Sequence, residues 1–121
     1  EREHTAIMGS SLGGLISHYA IYQYPEVFSK AIIFSPSYWY AEEIWSFTED
    51  NTLPENSKLW LEIGEKEGNA VSNTNKMHQV ILDSGHPDEN IVKQVDPEGE
   101  HNEPSWRRQF VPAVKWLFEV Q

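Results

Sequence analysis

IMGSSLGG, residues 7–14, carries an apolar strand tail straight into glycines and two serines. Spacing separates the serines. In G-x-S-x-G a strand breaks through a tight turn into a helix, and neighbouring chain crowds the positions two before and two after the serine. Gly9 and Gly13 bracket Ser11 in this way, whereas Met8 and Leu12 hold the same places around Ser10. The flanks fit the pattern: residues 4–8 read as a strand, and Leu12, Leu15, Ile16, Tyr19 and Ala20 mark one face of a helix. A glycine-rich turn with no chemistry is the bland alternative for so short a motif.

Outward from this turn, strands and helices alternate with short links. The first helix should stop at Tyr24 and Pro25, and residues 31–34, an unbroken apolar run, read as a strand buried on both faces. A helix near residues 41–47 and a strand over 59–63 follow. Met77, Val80 and Ile81 line a third helix, capped near Ser72 or Asn73 and closed by Gly85. Residues 91–95 read as a half-exposed edge strand. Trp106, Phe110, Val114, Leu117 and Phe118 stripe the last helix, where Pro112 should kink or interrupt it. The class is α/β: about four parallel strands with flanking helices, joined by right-handed crossovers within a single domain over residues 1–121.

Composition narrows the function. The 121 residues are 39% hydrophobic, enough for one core, and the formal net charge of −10 argues against binding nucleic acid through phosphates or docking on anionic membranes. With no cysteine there is no thiolate nucleophile and no cysteine zinc site, and the compartment stays open. No apolar run approaches a membrane span.

In a parallel sheet, chemistry collects beyond the carboxyl ends of the strands. A serine hydroxyl needs an imidazole to take its proton and a carboxylate to orient that imidazole. Of the five histidines only His101 follows the end of a strand; His4, His18, His78 and His86 lie on a strand, within helices or at the opposite end of the sheet. Glu67, in the loop after the third strand, is the leading acid, with Glu65 a competitor and Asp96 and Glu98 weaker ones. Tyr38, Trp39 and Tyr40 should overhang the pocket and Trp106 should flank the base, presenting aromatic faces to a substrate; local core packing is the alternative. The acidic run at 98–103 lacks the ligand alternation of a calcium loop, so no metal is expected.

Three segments, GSSLGGLISHYAIYQYPEVFSKAIIFSPSYWY, LEIGEKEG and DPEGEHNEPSWRRQF, together resemble the esterase D type of α/β-hydrolases. That group includes enterochelin, feruloyl and acetylxylan esterases, S-formylglutathione hydrolases and mycolyltransferases. The resemblance implies Ser11 as nucleophile, His101 as base and Glu67 as acid, where many relatives use aspartate. It implies a serine carboxylic-ester hydrolase acting on a small-molecule ester without metal or organic cofactor. Two alternatives stand beside it: an acyltransferase using the same acyl-enzyme, and a catalytically silent assembly module.

The group's elbow follows its fifth strand, so the resemblance also implies that this chain corresponds to the carboxyl-terminal half of an eight-stranded fold. The backbone N–H of Leu12 can supply one oxyanion donor, while the second has no counterpart here, a deficit of about 3 kcal/mol in transition-state stabilisation. The strand over 4–8 would show an unpaired apolar edge. Two such strands across a two-fold axis would join two copies into an eight-stranded sheet, giving a homodimer; an amino-terminal half is the other way to cover the edge.

Overall fold

The computed structural model describes residues 1–119. Four strands, β1 (Ala6–Ser10), β2 (Lys30–Phe34), β3 (Lys58–Gly64) and β4 (Ile91–Asp96), form one parallel sheet in sequence order. Helices α1 (Leu12–Gln23), α2 (Glu43–Glu49), α3 (Asn69–Asp83) and α4 (Glu103–Phe118) connect or follow them. Because all strands run one way, Ser11, Ser35, the 65–67 turn and His101 all emerge at the same edge of the sheet.

The core has two layers. On one face Ala31, Ile33, Leu59 and Leu61 meet Leu15 and Ile21 of α1, Ile44 of α2 and Met77 and Ile81 of α3. On the other, Ile32, Phe34 and Trp60 meet Ala113 and Leu117 of α4. Repeated crossovers of one hand put three helices on one side and leave a single helix for the other. Among the described residues β1 pairs only with β2, and its Met8 is 47% exposed.

Four expectations shift. β1 begins two residues later than the 4–8 reading, because residues 2–4 form a 3-10 turn in which the His4 N–H reaches the Glu1 carbonyl. α3 starts at Asn69 rather than near Ser72: Gly68, at φ 65°, pivots the chain directly from the preceding turn into the helix. Pro112 lies inside an unbroken α4 on its exposed side, where water can satisfy the carbonyl that loses its donor.

The buried face of α1 is the fourth. Leu12, Ile16 and Tyr19 are 44%, 61% and 45% exposed, while Leu15, Ser17, His18, Ile21 and Tyr22 face inward. The helix is apolar nearly all round, so hydrophobicity alone does not choose a face. His18 does. Its Nδ1 bonds the Tyr38 hydroxyl at 2.8 Å and its Nε2 the Thr48 hydroxyl at 2.9 Å, so a fully buried imidazole keeps both nitrogens satisfied. Burial lowers its pKa to about 3, so it stays neutral.

Candidate active site

Ser11 sits where β1 turns into α1, at φ 60° and ψ −122°, a conformation that non-glycine residues adopt only when surrounding structure holds them there. The holding bonds are present. Its N–H donates to the Phe34 carbonyl at 3.0 Å, and its carbonyl accepts from the N–H groups of Gly14, Leu15 and Ser37. A Cβ on Gly9 would lie 2.3 Å from the Gly13 carbonyl oxygen, so the turn closes only without one. The second crowded glycine is Gly14, whose Cβ would meet the Phe34 carbonyl oxygen at 2.8 Å; at Gly13 a Cβ would point into open space among the described residues.

The hydroxyl so presented meets its partners directly. Ser11 Oγ lies 2.9 Å from His101 Nε2, and His101 Nδ1 lies 2.7 Å from Glu67 Oε1. A carboxylate only accepts, so Nδ1 carries the proton and Nε2 is free to accept from the serine. Glu67 Oε2 accepts from the Gly64 N–H at 2.8 Å and from the Ser35 hydroxyl at 2.6 Å, and the Glu67 side chain is only 4% exposed. Glu65 is exposed and bonds none of these groups. Asp96 is engaged elsewhere, accepting from Arg108 at 2.9 Å and from the Glu98 N–H.

Two loops must touch for this line to form. They meet through a pair of glycines. A Cβ on Gly64 would lie 2.3 Å from the Gly99 carbonyl carbon, and one on Gly99 would lie 2.6 Å from Gly64 Cα, while the Lys66 N–H donates to the Gly99 carbonyl at 3.1 Å. On either side of His101 the chain is pinned to the start of α4: the Glu100 N–H donates to Ser105 Oγ, and Asn102 Oδ1 caps the helix by accepting from the Ser105 N–H. Neither device was read from the sequence. Glycines three residues before Glu67 and two before His101 were the available signal, legible only once the loops are known to be neighbours.

The aromatic residues divide. Tyr38 is 1% exposed and bonded to His18, so it belongs to the core and offers nothing to a ligand. Trp39 and Tyr40 are 71% and 64% exposed and pack edge to face. Trp39 lines a cavity of about 300 Å³ with Ser35, Pro36, Ser37, Glu67, Ala70 and His101. Trp106 packs edge-on against the His101 ring, centroids 5.2 Å apart, and gives its single N–H to Ser35 Oγ at 2.7 Å. The Leu12 amide, at the first position of α1, has no backbone acceptor within the helix and lies one residue beyond Ser11.

Below the site Glu62 on β3 is fully buried and neither carboxyl oxygen has a partner among the described residues. Burial, and next the nearby charges of Glu67 and Asp96, raise its pKa to about 8.

A strand-turn-helix carrying G-x-S-x-G on a parallel sheet, with a serine, a glutamate and a histidine brought together in that chain order, is the architecture of the α/β-hydrolase class. Residues 1–117 match the Putative esterase family, and the chain belongs to that family. YbbA of Bacillus subtilis, an uncharacterized protein, is 28% identical over 98% of this chain and 50% of its own length. The iron(III) enterobactin esterase of Dickeya dadantii is 24% identical over 95% of this chain and 29% of its own. The enterobactin esterase of Shigella flexneri superposes with a TM-score of 0.86 at 21% identity, over 98% of this chain and 32% of that one. The chain thus spans half or less of the length of each of these relatives.

Proposed function

We propose that the chain carries the catalytic centre of a serine carboxylic-ester hydrolase. The observation that supports it best is the unbroken line from Ser11 Oγ through His101 to Glu67, at 2.9 and 2.7 Å. Ser11 attacks the ester carbonyl carbon as its proton passes to His101 Nε2, and Glu67 stabilises the imidazolium so formed. The tetrahedral oxyanion takes a hydrogen bond from the Leu12 N–H. The bond to the leaving oxygen then breaks, and His101 returns the proton to the departing alcohol. Water repeats the sequence on the acyl-enzyme and releases the acid.

No step calls for a metal or an organic cofactor. The substrate class is a small-molecule ester, its acyl part lying in the cavity beside His101 that Trp39 lines. Ester bonds are also what the enterobactin esterases among its relatives are named for. The outer edge of β1 is the place where preceding chain or a second copy would add strands.

Hydrolysis of p-nitrophenyl acetate by the full-length protein tests the assignment. Release of nitrophenolate should be lost in Ser11→Ala and kept in Ser10→Ala; the reverse result would overturn it. With an added alcohol the product should remain free acid, and a predominance of new ester would make the protein a transferase.

A further inference from the structure

Resting on that reading, we infer that Ser35 is a positioning residue for Glu67, with its own hydroxyl aimed by Trp106. Ser35 takes no part in acyl transfer, yet its side chain is placed with unusual care. It stands at φ 45°, off the end of β2, in a left-handed conformation that a serine keeps only when its surroundings hold it there. Its N–H donates to the Glu62 carbonyl at 2.8 Å, which ties the strained residue back to β3, and it is 2% exposed.

Donor chemistry sets the direction of the hydrogen bonds. An indole N–H can only donate, so Ser35 Oγ must accept from Trp106 Nε1 at 2.7 Å. The one hydroxyl proton then points the other way, to Glu67 Oε2 at 2.6 Å. With the Gly64 N–H on the same oxygen at 2.8 Å, Oε2 is held by two donors and Oε1 is left to face His101. The carboxylate is thereby locked against rotation about its terminal bond, a torsion otherwise broad and soft. Trp106 acts twice, through its N–H on Ser35 and through its ring against His101. Acid and base of the triad are oriented by one side chain from α4.

The test is a kinetic cycle on p-nitrophenyl acetate with the full-length protein, using Ser35→Ala, Trp106→Phe and the Ser35→Ala/Trp106→Phe double variant. Trp106→Phe keeps an aromatic ring near His101 and removes the donor together with the second ring of the indole. Ser35→Ala should lower kcat about tenfold, the loss of one hydrogen bond to a charged group, with KM unchanged. Trp106→Phe should lower kcat in the presence of Ser35 and add nothing in the Ser35→Ala background, because its N–H acts through that hydroxyl. Losses that multiply in the double variant, or wild-type kcat in Ser35→Ala, would overturn the inference. If Ser35→Ala fails to fold by circular dichroism, Trp106→Phe alone decides: a folded variant with wild-type kcat sinks the inference. Ser11→Ala, run alongside, separates the two readings. If it retains activity, the hydrolase reading fails; if it is dead while Ser35→Ala is wild type, only the role of Ser35 fails.

Discussion

Ser11 is held in a strained turn with its Oγ 2.9 Å from His101 Nε2, and Gly9, where a Cβ would strike the Gly13 carbonyl, is the glycine of the motif that the turn requires. The choice of Glu67 over Glu65 was not local. It depends on a 3-10 turn that points position 67 inward and 65 to solvent, and on partners far away in sequence, Ser35 just past β2 and His101 in the loop before α4. Trp106 shows the same limit. An aromatic residue five places after the base suggested a binding surface, but its N–H belongs to Ser35. Removing the charge that orients and stabilises the imidazolium should be severe: Glu67→Gln should lower kcat roughly 10³–10⁴-fold while leaving the melting temperature near wild type. Comparable damage from Glu65→Gln, measured in the same ester assay, would show that the acid lies elsewhere.

Among the elements, the strands were the most legible, since continuous apolar runs such as residues 31–34 can only be buried. The face of α1 was not, because His18 and Ser17 lie inward and Ile16 outward, and polar contacts from Tyr38 and Thr48 decide the rotation. The glycine contact between the loops after β3 and β4 makes a direct prediction. In Gly64→Ala the new methyl would have to displace Gly99, at roughly 1–3 kcal/mol in stability, and should lengthen the Glu67 to His101 contact. A lower melting temperature together with a lower kcat is expected, and unchanged values of both would refute the close approach.

Strand β3 carries a second prediction through Glu62. Its folded pKa, about 8, lies above the ordinary carboxylate value, so the native state holds a proton that the unfolded chain releases. Its contribution is therefore fully present below about pH 4.5 and is lost as pH rises toward 8, each unit of separation being about 1.4 kcal/mol. Glu62→Gln should flatten the fall in melting temperature across that window and gain most over wild type near pH 8. A variant whose melting temperature tracks the wild type from pH 5 to pH 8 would contradict this. Arg108 works against the shift, and Arg108→Gln should extend the fall to higher pH.

At the scale of the whole molecule, the handedness of crossovers predicts three helices on one face and one on the other, and the two core layers divide in that way. What covers the rest was not legible. β1 has a partner on one side only, and Met8, Phe34, Trp106 and Phe110 line an apolar cleft beside it. An open strand edge next to exposed apolar side chains is a template for pairing. Expressed alone, the chain is expected to dimerise through β1 or to aggregate; sedimentation equilibrium at micromolar concentration returning a folded, monodisperse 14.0 kDa species would refute this.

Covalent labelling reads most directly whether Ser11 is the residue that becomes acylated. The full-length protein treated with a fluorophosphonate should gain one phosphonyl group by intact mass, mapped by peptide sequencing to Ser11 and lost in both Ser11→Ala and His101→Ala. Label on Ser10, or label that survives Ser11→Ala, would contradict the account.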